Sequence, residues 1–157
     1  MMLAYRLLRL IETHYEALAN GLLQRLQESE KTTDFKRVPP AEFKAAVSEI
    51  YHHLGEWLLG KTESEIERRY VEIGAQRRSQ GVRFSQLVWA IVLTKEYLWE
   101  YLKKEALPDK PVEVFGELEV FELLDQFFDR AIYYAGIGFE EEQASRAGRT
   151  AEHAVAR

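Results

Sequence analysis

Large apolar side chains recur along this chain at alternating three- and four-residue steps, the spacing of helices that bury one face. Over 3–28, Leu8, Ile11, Tyr15, Leu18, Leu22 and Leu26 keep that step, and the stripe is narrow, as in a bundle or coiled-coil helix whose partner can be another subunit. The segment 29–38, SEKTTDFKRV, is polar and reads as the one irregular connection of any length. Pro39-Pro40 then opens a second helix, since proline is tolerated in a first helical turn. It sets Phe43, Val47, Ile50, Leu54, Trp57 and Leu58 inward and ends near Gly60. Thr62-Glu63-Ser64-Glu65 has the form of a capping box and predicts the start of a third helix.

On that third helix Ile66, Tyr70, Ile73, Gly74 and Arg77 share a face, so an arginine falls in line with the apolar stripe. Gly74 has no Cβ and would let a neighbouring backbone approach; Gly81 suits the left-handed residue that ends a helix. The fourth helix carries Phe84, Leu87, Val88, Ile91, Leu98 and Leu102 on one face, with Trp89, Val92, Leu93, Tyr97 and Tyr101 elsewhere. A helix apolar nearly all round is buried, either centrally or between subunits. Leu107-Pro108-Asp109-Lys110-Pro111 is a breaker. A long fifth helix is expected from Val112 to beyond Phe139, with one stripe of Val114, Leu118, Phe121, Phe128, Ile132 and Ala135 and a second of Val120, Leu123, Phe127, Tyr134 and Ile137. Two apolar stripes need two partners. The residues after Phe139 lose large apolar side chains while keeping helix formers, and Glu140 to Glu142 reads as a solvated charge run.

The expected architecture is therefore all-α, a five-helix bundle with a long C-terminal helix. Residues 1–140 form one helical domain and 141–157 a helical tail or a connector to an output domain that the chain lacks.

The hairpin 70–102 sharpens this. The pattern Y-x-x-x-G-x-x-R-x-x-x-G, formed by Tyr70, Gly74, Arg77 and Gly81 and followed by an apolar helix, resembles the N-terminal sensor domains of bacterial RsbT co-antagonist (stressosome) proteins. The resemblance runs from about Val38 into the long last helix and rests on packing residues. It implies a globin-like, non-haem, dimeric input domain placed ahead of an output domain.

With 157 residues, 46% of them hydrophobic, the chain can bury one sizeable core. Its 21 Lys and Arg against 26 Asp and Glu give a net charge of -5, which opposes a phosphate-tracking surface and argues against nucleic acid as a partner. Cysteine is absent, which removes disulfides, thiol catalysis and cysteine-held metal clusters and fits a cytoplasmic location. The longest unbroken apolar run, Leu87 to Leu93, falls far short of the roughly 20 residues that span a bilayer, so no membrane partner is expected.

Candidate chemistry is sparse. His52 and His53 are adjacent, about 100° apart around a helix, and cannot chelate one ion from one face. Glu49-Ile50-Tyr51-His52 is a single E-x-x-H, whereas bundle di-iron sites need two copies and two further glutamates. No metal is expected. The fourth helix has no histidine to hold a haem, and His53, beside Ile50 and Trp57, reads as a partly buried structural residue, so no cofactor is expected either. Neither a G-x-S-x-G element nor a glycine-rich phosphate loop occurs.

Arg77 is the least ordinary residue, because a guanidinium keeps its charge wherever it sits. Its stem can pack while its head reaches water, it can pair in the interior with Glu96, Glu119 or Asp125, or with Tyr70 and Trp89 it can line a ligand pocket. The aromatic residues read first as core. The leading expectation is a non-enzymatic sensor and dimerisation domain of a bacterial stress regulator, acting on a downstream signalling protein or output domain. Its homodimer interface is expected at Leu8, Ile11, Tyr15 and Leu18 of the first helix and Phe127 and Tyr134 of the fifth. The alternatives are a small-ligand-binding helical sensor and an enzyme whose site is not recognisable.

Overall fold

Helix ends fall where the chain's punctuation predicts them. The computed structural model describes residues 2–60, 63–105 and 118–156. They form α1 (Met2–Glu28), the 3-10 helix η1 (Glu30–Arg37), α2 (Pro40–Leu58), α3 (Glu63–Ser79), α4 (Phe84–Glu105) and α5 (Leu118–Val155), with no strand among the described residues. Gly81 ends α3 at φ +80°, with Gly81 N–H donating to Arg78 O and Val82 N–H to Arg77 O, the paired bonds of a Schellman motif. The Thr62 end of the expected capping box, the breaker at 107–111 and the expected start of the last helix at Val112 lie outside the described residues.

The connection 29–38 is a correction to the sequence reading, since it is helical. Ser29 caps it, its side chain accepting from Lys31 N–H at 3.2 Å. A kink at Thr32 (φ -132°) splits its turns, and the Thr32 hydroxyl, buried there, donates to Leu26 O at 2.7 Å. A polar stretch is thus folded back on the end of α1 because its side chains satisfy backbone groups that water would otherwise serve.

α1 packs on α2 and α4, and α5 packs chiefly on α3, with further contact to α4 and α2. The core between them holds Leu18, Leu22, Val47, Leu54, Tyr70, Leu98, Leu124, Phe127 and Phe128, each at most 1% exposed. α3 and α5 meet backbone to backbone. A Cβ placed on Gly74 would lie 1.9 Å from Ala135 O, and one on Gly138 would lie 1.9 Å from Val71 O, so each helix supplies a glycine at the other's closest approach. The close approach expected at Gly74 is found; its counterpart Gly138 is new.

Among the described residues, side chains from both stripes of α5 find partners inside the same chain. Phe127 stands edge-on to Tyr70 of α3 at 5.9 Å, while Phe121 packs on Trp99 of α4 at 5.2 Å and Phe139 on Phe84 of α4 at 5.3 Å. The Trp57 indole of α2 donates to Leu123 O at 3.0 Å. Phe127, Leu18 and Ile11 are 0%, 0% and 4% exposed in the single chain, which corrects their placement at a dimer interface: they have almost no surface left for a partner to cover. Leu8 and Tyr134 are half-buried and Tyr15 is exposed.

Candidate functional site

Three polar junctions and one groove stand out from this frame. The first junction is built on Arg77, which the helical period of α3 drives into the interior at 3% exposure. Its Nη1 donates to Glu42 Oε1 at 3.0 Å and to Gln80 Oε1 at 2.8 Å, and Gln80 Nε2 donates to the same Glu42 oxygen at 2.8 Å. The partner is thus Glu42, in the first turn of α2, rather than Glu96 or Asp125; Glu119 lies among residues whose side chains are not described. Burial pulls the guanidinium pKa down and its hydrogen bond to Glu42 opposes that, and the pair ties the start of α2 to the end of α3.

Arg77, Tyr70 and Trp89 have different neighbours. Tyr70 is 1% exposed, lies against Phe127, and its hydroxyl has no hydrogen-bond partner; burial is the main cause driving its pKa upward, with Arg69 opposing and Glu49 adding to it. Trp89 lies under the Lys31 ammonium, 4.2 Å from the ring centre, in a cation–π contact.

The second junction was missed by the sequence reading. Asp34 of η1 accepts from Arg83 N–H at 3.0 Å and from Arg83 Nε at 2.9 Å, and its own N–H donates to Gln86 Oε1 at 2.6 Å. Gln86 Nε2 reaches Thr33 Oγ1 at 3.2 Å. Asp34 therefore places a carboxylate at the N-terminus of α4, where the open amides and the helix dipole favour negative charge. The Arg83 hydrogen bonds hold its pKa below the usual carboxylate range. The only signal in the sequence was an aspartate inside a segment that reads as solvated loop.

At the third junction, α2 and α3 bring His53, Glu56 and Glu65 together, with ligand-capable atoms within 4.8 Å of one another. His53 Nδ1 is buried without a hydrogen-bond partner and lies 3.7 Å from Glu56 Oε2.

The groove runs between α1 and α2, encloses about 390 Å³, and is lined by Leu8, Ile11, Tyr15, Tyr51, Gly55 and Leu59, with Glu12, Ser48, His52 and Glu56 also on its wall. Gly55 makes room for it, since a Cβ there would lie 2.7 Å from Leu8 Cδ2. Tyr15, Leu59 and, beyond the end of the groove, Tyr5 are 42%, 55% and 61% exposed, a run of large apolar side chains with no cover in one chain. Leu8 and Tyr15 of the expected interface belong here, whereas Tyr134 sits on α5 near Glu63 and Arg130, and hydrogen bonding to Glu63 adds to burial in raising its pKa.

Beyond the core α5 continues unbroken to Val155, and residues 143–156 are exposed. Arg146 on this extension donates to Ser79 O at 3.2 Å, touching the end of α3, and pairs with Glu142 at 3.0 Å. No helix among the described residues is long and apolar enough to cross a membrane.

Neither a curated protein nor a solved structure matches the chain at a significant level. The family model described as the RsbT co-antagonist protein rsbRD N-terminal domain matches residues 16–154, which takes in every junction described above and most of the groove. The chain belongs to that family, and so to the regulatory domains of stressosome-type signalling.

Proposed function

We propose that this domain is a non-enzymatic, dimeric signal-input module of a bacterial stress regulator, and that its last helix carries the signal to an output domain or a downstream signalling protein. The carrying observation is α5: one helix runs from the fully buried Phe127 to the exposed residues around Val155. It is held against α3 by backbone contact at Gly74 and Gly138. A displacement of α3 is therefore passed to the C-terminal extension without an intervening hinge. The polar groups that reach the interior at Arg77 and Asp34 are engaged in joining helices, which supports a structural use for them over a catalytic one.

Dimerisation through α1 fits the same picture. Tyr5, Tyr15 and Leu59 flank an apolar groove, and a twofold partner laying its own α1 across that groove would cover both copies at once. The sedimentation or light-scattering mass of the wild type at micromolar concentration should be that of a dimer. Tyr15→Glu with Leu59→Glu, both on the surface, should give a folded monomer with an unchanged helical spectrum. A wild type that is monomeric, or a double variant that stays dimeric, removes α1 from the mechanism.

A further inference from the structure

The third junction carries an inference outside signal transmission. We propose that His53, Glu56 and Glu65 form a binding site for one divalent transition-metal ion, with Zn²⁺ the best-fitting occupant, that fastens the end of α2 to the start of α3.

Histidine and two carboxylates supply one nitrogen and two oxygen donors, a set suited to zinc-type cations, and they leave a coordination position open for water. Two donors that each sit about 2.1 Å from one ion can be no more than about 4.2 Å apart. His53 Nδ1 and Glu56 Oε2, at 3.7 Å, meet that limit while being too far apart for a good hydrogen bond. Glu65 completes a triangle whose sides are all within 4.8 Å, and its side chain is exposed, so the small swing that brings it to bonding distance disturbs no packing.

His53 Nδ1 supplies the separate reason to expect a ligand. It is a buried ring nitrogen with no hydrogen-bond partner, and such an atom is normally satisfied by something. Nearby charges leave the site intact: Arg69 is paired with Glu49 and Glu72, and His52 approaches Glu56 from the exposed side at 3.5 Å.

Single helices could not have shown this. His53 and Glu56 lie one turn apart on α2, but Glu65 comes from α3, and the left-handed turn at Gly60 (φ +86°) lies between them.

The full chain, stripped with chelator and titrated with Zn²⁺ alone, should take up one equivalent and melt at a higher temperature in its presence, because an ion that binds only the folded state stabilises it. Glu65→Gln, at an exposed position, and His53→Gln should each weaken Zn²⁺ binding by about tenfold or more. His153→Gln, on the exposed extension of α5, should leave the affinity unchanged. A wild type that takes up no stoichiometric Zn²⁺ overturns the proposal. So does an affinity that Glu65→Gln leaves unchanged, or one that falls with His153→Gln instead.

Discussion

Breaking the Arg77–Glu42 pair should cost different amounts from its two ends, because the two ends are not equally buried. Arg77 is 3% exposed and the Glu42 side chain 34%. Removing Glu42 leaves a guanidinium in the interior with Gln80 as its remaining recorded side-chain partner, which approaches the roughly 3 to 5 kcal/mol seen when one member of a buried pair is deleted. Replacing Arg77 by methionine keeps the packed stem and leaves Glu42 able to turn to water while still accepting from Gln80 Nε2, so the cost should fall to about 1 to 2 kcal/mol, near that of one charged hydrogen bond. Urea unfolding followed by far-ultraviolet circular dichroism reads both values, and a loss of 3 kcal/mol corresponds to a melting point lower by about 6 to 12 °C for a chain of this size. Glu42→Ala should therefore be less stable than Arg77→Met, although glutamate is the more exposed partner. Equal effects, or a Glu42→Ala variant within about 1 kcal/mol of wild type, would place the pair with ordinary surface ion pairs and refute the argument from burial.

The α3–α5 contact predicts opposite signs for one substitution at two glycines. Gly138→Ala drives a Cβ into Val71 O and should destabilise by about 1 to 3 kcal/mol or more, whereas Gly148→Ala, with nothing within 4 Å, should stabilise by up to about 1 kcal/mol through helix propensity alone. Thermal melts of both variants check this, and matching signs would contradict the geometry. The Asp34 cluster predicts acid sensitivity: its carboxyl pKa is lowered in the fold, so the stability it contributes is fully present above the ordinary carboxylate value near pH 4 and is lost as pH falls through the lower folded value. Asp34→Asn should be less stable at neutral pH and should flatten the stability profile below about pH 4; an unchanged acid limb shows that the Arg83 contact contributes little.

Much of the helical frame was legible because helix formation is local. The three- and four-residue steps in α1, α2 and α3, the Pro39-Pro40 start and the Gly81 stop each act within a turn or two of chain, and the structure repeats them. Gly74 was legible for a related reason, since a glycine on an apolar face has few uses other than close approach.

Partnership was not legible, because it is decided by which surfaces meet. Arg77 lies 35 residues from Glu42, and nothing in the period of α3 distinguishes that carboxylate from the others in the chain. Asp34 looked solvated because its neighbours are polar, yet a guanidinium and an amide 49 residues away replace its water. Phe127, on the second stripe of α5, was misread for the same reason. Periodicity tells how much of a helix must be covered, but only the tertiary fold determines whether α3 and α4 of the same chain or a second subunit covers Phe127, and the edge-on contact with Tyr70 settles it in favour of the same chain. What stays uncovered beside the α1–α2 groove, Tyr5, Tyr15 and Leu59, is visible only after that internal packing has been subtracted.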